Sequence, residues 1–121
     1  MKSKLSVGTD ITDVARIRKM IRSKNFLKRV YTEEEIRYCS GKKLAEQHFA
    51  VRFAAKEAVW KALSPLTQKL GISLREIGVR RAPNGSPSVA LSPRLKKFES
   101  RFSLSLSHTK EFAIAVAVFQ P

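Results

Sequence analysis

Two carboxylates and one ammonium group are the side chains of this sequence best suited to chemistry. Asp10 follows a short apolar run, and Glu57 lies in a long helical segment, four residues before Lys61. Two carboxylates that lie close together repel each other, and one of them would take up a proton. A divalent cation removes this conflict, because Mg²⁺ in proteins typically binds one or two carboxylates together with phosphate oxygens and waters. Asp10, Glu57 and Lys61 are therefore typical of phosphoryl-group chemistry.

The same residues also have a purely structural interpretation. A Glu followed by a Lys four positions later is a common stabilising pair on an exposed helix, where it contributes about 0.2–0.5 kcal/mol. The spacing of Glu57 and Lys61 alone favours this ordinary pair, and two isolated acids do not by themselves define a metal site. Both interpretations stay open on the evidence of these residues.

The sequence offers little else that could carry out catalysis. It has no glycine-rich phosphate loop and no Cys/His metal-ligand spacing, and its two histidines are His48 and His108. Ser107 and His108 are neighbours on a predicted strand, where adjacent side chains point to opposite faces, so they do not form a catalytic dyad. His48 is expected to be a surface or half-buried residue of the long helix. A nucleophilic hydrolase is therefore not expected.

A long helix is expected to carry both Glu57 and Lys61. Residues 44–63 contain neither Pro nor Gly and are rich in good helix formers, which favours one helix about 30 Å long. Large rings form one stripe along it and alanines a second stripe further round: Phe49, Phe53 and Trp60, then Ala50, Ala54 and Ala58. A stripe of rings normally packs into a core. Glu57 lies between the two stripes, where a carboxylate needs a partner.

A predicted strand and a strongly basic segment precede this helix. Residues 5–8 are predicted to form a strand that ends at Thr9 and Asp10, and Thr12 or Asp13 can cap the next helix. Residues 14–29 have a helical pattern, with seven basic side chains and no acidic one. Such a run is usually a solvated face. Seven charges of one sign repel each other, however, which favours an acidic partner for this segment.

The remaining segments predict an antiparallel sheet. Thr32 and Glu35 have the form of a capping box that opens a short helix through Tyr38, and residues 64–71, with a Pro and a Gly, are predicted to be a loop. Asn84-Gly85 is a hairpin turn signal. Strands are expected over 74–81, 87–91, 102–106 and 112–119, and a helix is expected after Ser92-Pro93. We predict a single α+β domain over 1–121, with an antiparallel sheet packed against the long helix and shorter helices.

The composition limits the class of protein. The chain has 24 Lys and Arg against 10 Asp and Glu, and the net charge of +14 predicts an anionic partner. Nucleic acid, an anionic membrane, a phosphorylated small molecule and an acidic protein all satisfy this requirement. A basic nucleic-acid-binding module and a basic helix on a membrane surface are therefore alternatives to an enzyme.

The cysteine content and the hydropathy pattern predict the compartment. The single cysteine, Cys39, excludes an internal disulfide and is typical of a protein in a reducing cytosol. No apolar run has the length of a signal peptide or of a membrane-spanning helix. We therefore expect a soluble, cytoplasmic protein.

Three segments resemble the holo-acyl-carrier-protein synthases, the small bacterial class of 4′-phosphopantetheinyl transferases. They are GTDITDVARI at 8–17, RFAAKEAVWKAL at 52–63 and LSLSHTKEFAIAVAV at 104–118, and NGSP at 84–87 resembles the family's Asn-Gly-x-Pro turn. The resemblance implies the 4′-phosphopantetheinyl transferase fold and a Mg²⁺-dependent transfer of phosphopantetheine from coenzyme A to a serine of apo-acyl carrier protein, releasing 3′,5′-ADP, for fatty acid biosynthesis. It also implies a homotrimer with active sites between subunits, and neither nucleic acid nor a membrane as a partner.

The resemblance further implies catalytic roles for individual residues. Asp10 and Glu57 would bind Mg²⁺, with the diphosphate of coenzyme A completing the coordination. Lys61 would contact the phosphate and assist the departure of 3′,5′-ADP. Either a water or Glu57 would take the proton of the acceptor serine.

Binding roles are implied by the same resemblance. Arg52, His108 and Thr109 would lie near the 3′-phosphate and the nucleotide of coenzyme A. The helix that docks the acidic recognition helix of the carrier protein would present Arg16, Arg18 and Arg22. The sequence departs from the family at 64–70, where many members have a Gly-Thr-Gly loop near the coenzyme, so no contact is inferred for that stretch.

Overall fold

A computed structural model of the protein describes residues 4–121, so the first three residues of the predicted domain lie outside it. The strands and helices are β1 (Ser6–Asp13), α1 (Val14–Met20), α2 (Lys24–Val30), α3 (Glu33–Ser40), α4 (Ala45–Thr67), β2 (Ile77–Arg81), β3 (Pro87–Leu91), β4 (Phe102–His108) and β5 (Phe112–Phe119). Three 3₁₀ helices lie in the connections: Gln68–Leu70, Leu74–Glu76 and Pro93–Arg101. Within residues 4–121, no helix combines the length and apolar character needed to cross a membrane.

All strands pair in the antiparallel sense. The apolar strand β5 is central in a three-stranded sheet of order β1-β5-β4, and β2 and β3 form a separate two-stranded sheet. Helix α4 packs against the three-stranded sheet, α1 and α3 pack against α4, and the ring of Phe26 on α2 stacks on that of Phe53 on α4. The predicted fold class, α+β with an antiparallel sheet packed against a long helix and shorter helices, is confirmed.

Small residues let α4 lie directly on the sheet. The alanine stripe of α4 (Ala50, Ala54 and Ala58) and the alanines of β5 (Ala113, Ala115 and Ala117) are completely buried. At Gly8 on β1, an added Cβ would overlap the carbonyl oxygen of Ala58 and lie 2.9 Å from the Ala62 nitrogen. The helix can therefore approach β1 so closely only because residue 8 has no side chain. This approach holds the inward-facing side chains of β1 against α4.

Strand β1 is longer than predicted. We predicted a strand that ended at Thr9 and Asp10, but each residue from Ser6 to Asp13 pairs with a residue of β5, and Asp10 lies opposite Ala115. The strand ends only where Asp13 becomes the N-cap of α1, with its side chain accepting the N–H groups of Ala15 and Arg16. Asp10 thus lies in the middle of a strand and not at its end.

The basic segment forms two helices. The helical pattern over 14–29 is interrupted after Met20, and α2 begins again at Lys24. The Ser23 side chain accepts the backbone N–H of Phe26 and so caps the second helix. A serine cap in the middle of a periodic segment explains the interruption, because it satisfies the free N–H groups of a new helix start.

The loop predicted over 64–71 is wrong in its first half, because α4 continues to Thr67 with Pro65 inside it. Proline has no N–H for the carbonyl one turn back, which is that of Lys61. The Ser64 hydroxyl donates to this carbonyl at 3.4 Å, and the Thr67 hydroxyl donates to the carbonyl of Leu63 at 2.9 Å. Side-chain hydroxyls therefore support the end of the helix beyond the proline.

A predicted helix cap and a predicted hairpin turn are confirmed. The Thr32 side chain accepts the N–H of Glu35, and the Glu35 carboxylate accepts the N–H of Thr32, which is the predicted capping box. Asn84-Gly85 joins β2 to β3, with Gly85 at a φ of 87° and the Asn84 side-chain oxygen accepting the N–H of Ser86. The strand predicted from residue 74 begins only at Ile77, because Leu74–Glu76 form a 3₁₀ turn.

A buried ion pair ties three elements together, and the sequence did not reveal it. Lys56 on α4 is completely buried and donates to the Glu35 carboxylate and to the carbonyl of Ile77. Glu35 also accepts the N–H of Val79, so α3, α4 and β2 meet at one carboxylate. Burial lowers the pKa of Lys56, and the neighbouring Glu35 opposes this shift. Removal of either partner would leave the other charge buried alone.

Candidate active site

The three residues selected from the sequence lie together where β1 crosses α4. Lys61 Nζ lies 3.5 Å from Asp10 Oδ1 and donates to the carbonyl of Thr9 at 2.9 Å. The other carboxylate oxygen of Asp10 accepts the hydroxyl of Thr12. Glu57, one turn before Lys61 on α4, is half-buried and close enough for the charge of Asp10 to act on it. The structure thus brings together the two acids and the ammonium group.

The ordinary pair of Glu57 with Lys61 is not what the structure shows. Among the ion pairs of residues 4–121, Lys61 pairs with Asp10 and not with Glu57. Burial raises the pKa of Glu57, and the negative charge of Asp10 raises it further, whereas Lys61 and Arg16 lower it. Burial and the neighbouring acid therefore outweigh the positive charge around Glu57.

The two carboxylates fit a hard cation. Residues 4–121 contain no group of three or more His, Cys, Asp or Glu that could hold a metal by themselves. A cation at Asp10 and Glu57 would take its remaining ligands from phosphate oxygens and waters, which is the usual coordination of Mg²⁺ in proteins. Such a cation would also remove the repulsion that raises the pKa of Glu57.

A buried arginine forms the centre of a second, basic group of residues. Arg52 on α4 is only 6% exposed, and it donates to the His48 carbonyl at 3.4 Å. Its Nε is buried and has no hydrogen-bond partner. Among the ion pairs formed by residues 4–121, none includes Arg52. A buried guanidinium without a carboxylate is expected to bind an anion from outside the chain.

Of the three cavities that border this arginine within residues 4–121, two have no acidic residue in their lining. The larger, of about 170 Å³, is lined by Arg52, Arg80, Arg81 and Gly85 among others. The smaller, of about 40 Å³, lies between Arg52, Arg81, His48 and His108. Burial lowers the pKa of His48, and the positive charges of Arg52, Lys42 and Arg81 and the neighbouring His108 lower it further. The excess of cationic groups makes this pocket suitable for a phosphate.

His108 and Thr109 occupy different environments. His108 ends β4 and lines the smaller cavity with Arg52, so these two predicted residues are brought together. Thr109 lines neither cavity. Its side-chain oxygen accepts the N–H groups of Glu111 and Phe112, so Thr109 shapes the turn between β4 and β5.

The basic pocket and the carboxylates lie on different sides of α4. Arg52 and Glu57 are five residues apart, which separates their directions by about 140° around a helix. The structure of one chain therefore does not bring Arg52 and His108 together with Asp10 and Glu57.

The predicted docking arginines are exposed on and after α1. Arg16 lies 5.6 Å above the ring of Phe53, and its charge lowers the pKa of Glu57, so it stands beside the carboxylates. Arg18 lies 3.9 Å from Glu46 in an exposed ion pair. Arg22 follows the end of α1. A basic surface thus borders the candidate active site.

Sequence reasoning missed three residues near the basic pocket: His48, Arg81 and Tyr38. We expected His48 to be a surface or half-buried residue, and it is half-buried, but it also lines the cavity. Arg81 comes from the end of β2, just before the Asn84-Gly85 turn. A basic residue next to the recognised turn motif was the one signal that could have indicated Arg81.

The outward face of the three-stranded sheet is apolar. Four large apolar side chains on β1 and β5 point away from α4 and are 42–65% exposed: Val7, Ile11, Phe112 and Ile114. Val116 and Val118 on the same face are half-buried. A contiguous apolar face of this kind is typical of a protein interface.

Trp60 on α4 differs from its predicted core position, since it is 39% exposed and donates its ring N–H to the Ile72 carbonyl.

Comparisons with known proteins give one consistent family. The family model of the 4′-phosphopantetheinyl transferase superfamily matches residues 6–117. A holo-[acyl-carrier-protein] synthase of Chlamydia felis is 41% identical over 116 residues, covering 93% of each chain. One of Koribacter versatilis is 37% identical over 123 residues, covering 96% of this chain and 98% of the relative.

Solved structures agree with these sequence relatives. A holo-(acyl-carrier-protein) synthase from Bacillus anthracis in complex with CoA (3′,5′-ADP) has a TM-score of 0.75 and 34% identity, covering 95% of each chain. A holo-[acyl-carrier-protein] synthase from Helicobacter pylori in complex with coenzyme A has a TM-score of 0.76 and 34% identity, covering 94% of this chain and 99% of that one. The matched range 6–117 includes every residue of the two groups described above.

Proposed function

The chain belongs to the 4′-phosphopantetheinyl transferase superfamily, and we propose that it transfers 4′-phosphopantetheine from coenzyme A to a serine of apo-acyl carrier protein, releasing 3′,5′-ADP. Similarity to holo-[acyl-carrier-protein] synthases over nearly the whole chain supports this activity. The observation that carries the proposal is the pair of Asp10 and Glu57 beside Lys61. A cytoplasmic role in fatty acid biosynthesis is part of the same proposal and agrees with the free, buried Cys39.

Asp10 and Glu57 would hold Mg²⁺ in this reaction. Their two carboxylates, without a third ligand from the described residues, leave room for diphosphate oxygens and waters. When bound, the ion would neutralise negative charge on the diphosphate of coenzyme A. The Thr12 hydroxyl and the Lys61 ammonium group both contact Asp10 and hold its carboxylate in place.

Glu57 and Lys61 would take part in transfer of the serine proton and in departure of 3′,5′-ADP. The raised pKa of Glu57 belongs to the chain without metal, and a cation bound to its carboxylate would lower that pKa. The proton of the attacking serine hydroxyl would therefore pass either to Glu57 or to a water held beside the two carboxylates. Lys61 is half-exposed, so its ammonium group can reach a phosphate oxygen and stabilise the charge that develops on the departing 3′,5′-ADP.

Incubation with coenzyme A, Mg²⁺ and an apo-acyl carrier protein tests this function. The mass of the carrier protein is then measured by mass spectrometry, and we expect an increase by the mass of one phosphopantetheine group. A carrier protein whose acceptor serine is replaced by alanine is the control and should stay unmodified. An unmodified wild-type carrier protein would overturn the proposal. Binding of the chain to nucleic acid without transfer would then favour the alternative of a basic nucleic-acid-binding module.

The chain would work as a homotrimer with its active sites between subunits. The apolar outward face of the sheet supports an interface, because large apolar groups gain free energy when they leave water. The separation of Arg52 from Glu57 around α4 supports a shared site, in which the basic pocket of one subunit faces the carboxylates of the next.

Replacement of Ile114 by Asp should dissociate the trimer. The charge would lie at the centre of the apolar face, where burying it without a partner is costly. Light scattering should give the mass of three chains for the wild type and of one chain for Ile114→Asp, and transfer activity should fall with the mass. Ser88→Asp, on an exposed position of the other sheet, is the matched control and should remain a trimer. A monomeric wild type would contradict the proposed assembly.

Charge reversal at Arg16 and Arg22 should weaken the interaction with the carrier protein. We expect the double variant to raise the KM for the carrier protein roughly 10-fold or more, because the two reversed charges would repel an acidic helix. The KM for coenzyme A should change much less. A double reversal of Lys97 and Arg101, which changes the net charge equally on a distant 3₁₀ helix, is the control. An equal rise of KM for both substrates would contradict the docking role of Arg16 and Arg22.

A further inference from the structure

Tyr38, near the end of α3, holds its ring against the guanidinium group of Arg52. The Cζ atom of Arg52 lies 4.4 Å from the centroid of the ring, and Lys42 Nζ lies 4.5 Å from the same centroid. A cation at this distance from an aromatic face is attracted by the ring, and the attraction grows when water is excluded. Arg52 is buried, whereas Tyr38 is 37% exposed. The ring thus covers one side of the guanidinium.

Arg52 lacks the partners that usually fix a buried arginine. Its Nε is unpaired, and its one hydrogen bond to a backbone group is a long one to its own helix. The Cys39 thiol also lies near the guanidinium. Of the side chains that the structure describes, the Tyr38 ring is therefore the group best placed to set the direction of the guanidinium.

The nearby carboxylates do not take over this role. Glu34 and Glu35 line a cavity of about 200 Å³ with Tyr38 and Arg52. Glu34 is paired with Arg80, and Glu35 is paired with the buried Lys56. Both acids are thus engaged by other cations, which leaves the guanidinium of Arg52 for a ligand.

We propose that Tyr38 is a positioning residue that aims Arg52 at the 3′-phosphate of coenzyme A. The proposal rests on the proposed function and on the place near that phosphate that the family resemblance implies for Arg52. The ring face supplies the interaction, and the Tyr38 hydroxyl makes no hydrogen bond within residues 4–121. A phenylalanine should therefore replace Tyr38, whereas an aliphatic side chain should not.

Transfer kinetics with coenzyme A and with 3′-dephospho-coenzyme A test this role. Tyr38→Leu should raise the KM for coenzyme A about 3- to 10-fold, in line with the loss of a partly desolvated cation–π contact. Its kcat, its urea unfolding midpoint and its KM for the dephospho substrate should stay close to those of the wild type. Tyr38→Phe should behave as the wild type with both substrates. Tyr38→Met is a second variant without a ring and should repeat the effect of Tyr38→Leu.

Three results would overturn the positioning role. They are an equal rise of KM for both substrates, a loss in Tyr38→Phe as large as in Tyr38→Leu, and an unchanged KM in both variants without a ring. The proposed function is tested separately, because it fails only if the wild type modifies no carrier protein. Arg52→Met is the reference for complete loss of discrimination between the two substrates. If this variant still discriminates, the 3′-phosphate is bound elsewhere and Tyr38 has no role in its binding.

Discussion

Replacement of Glu57 by Gln is expected to lower kcat/KM for phosphopantetheine transfer by about 10²- to 10⁴-fold. Glutamine keeps the shape of the side chain but can neither take the serine proton nor supply a negative ligand to a cation. Asp10→Asn should have a similar effect, because asparagine also supplies no negative ligand to a cation. The measurement is the initial rate of modification of the carrier protein at fixed Mg²⁺ concentration.

Stability separates this catalytic role from a structural one. Burial and Asp10 raise the pKa of Glu57, so the folded chain disfavours its ionised form and loses stability as the pH rises through the ordinary value of 4.5 towards the raised one. At neutral pH without metal, Glu57→Gln should therefore be as stable as the wild type or more stable in urea unfolding. A variant that loses both activity and stability would indicate a structural carboxylate. Full activity of Glu57→Gln would show that Glu57 does not belong to the active site.

Mixed trimers extend the same experiment to the shared active site. Glu57→Gln lacks one carboxylate of the site but keeps the basic pocket, whereas Arg52→Met keeps both carboxylates but lacks the central arginine of the pocket. If each site is built from two subunits, subunit exchange between the two variants should restore part of the activity that each lacks alone. No recovery after confirmed exchange would mean that the two groups act within one chain.

The sequence predicted Glu57 as a site residue because its position conflicts with a simple surface helix, and Asp10 because it follows an apolar run. Glu57 lies between an aromatic and an alanine stripe and is half-buried in the structure, although Trp60 of the aromatic stripe is exposed. The sequence did not show that Lys56, rather than the adjacent Glu57, is the completely buried charge. Lys56 points about 100° away from Glu57, into contact with Glu35, which is 21 residues earlier. The burial of Lys56 depends on how α3 and β2 pack, and no local pattern reports this packing.

The errors at β1 and at the end of α4 have the same cause. Polar Thr9 and Asp10 ended the predicted strand, but β5, about one hundred residues later, pairs with all eight residues of β1. Pro65 ended the predicted helix, but the Ser64 hydroxyl takes the place of its missing N–H. In both places a specific partner outweighs the local preference of the residue.

The basic pocket was predicted only in part, because its members come from three separate elements. Arg52 and His48 lie on α4, Arg81 on β2 and His108 on β4, and each is unremarkable in its own segment. Only the packing of the β2–β3 hairpin beside α4 brings them together. The resemblance supplied Arg52 and His108, whereas Arg81 and Tyr38 required the structure.

Replacement of Gly8 by Ala is expected to destabilise the protein by about 3 kcal/mol or more. The new methyl group would overlap the carbonyl oxygen of Ala58 and lie 2.9 Å from the Ala62 nitrogen, and all of these neighbours are backbone atoms. A backbone atom inside a 23-residue helix cannot move aside alone, so α4 as a whole would have to shift from β1. The urea unfolding midpoint at constant protein concentration measures the loss.

Gly41→Ala is the matched control for this substitution. Gly41 caps α3 with an ordinary right-handed backbone, and a Cβ there would meet nothing closer than 3.7 Å, so this variant should be as stable as the wild type or slightly more stable. Gly8→Ala should also lose activity in its folded fraction, because the shift would separate Asp10 on β1 from Glu57 on α4. If Gly8→Ala unfolds at the same urea concentration as Gly41→Ala, then α4 does not need its close approach to β1. The two carboxylates would in that case be held together by something other than the contact of this helix with this strand.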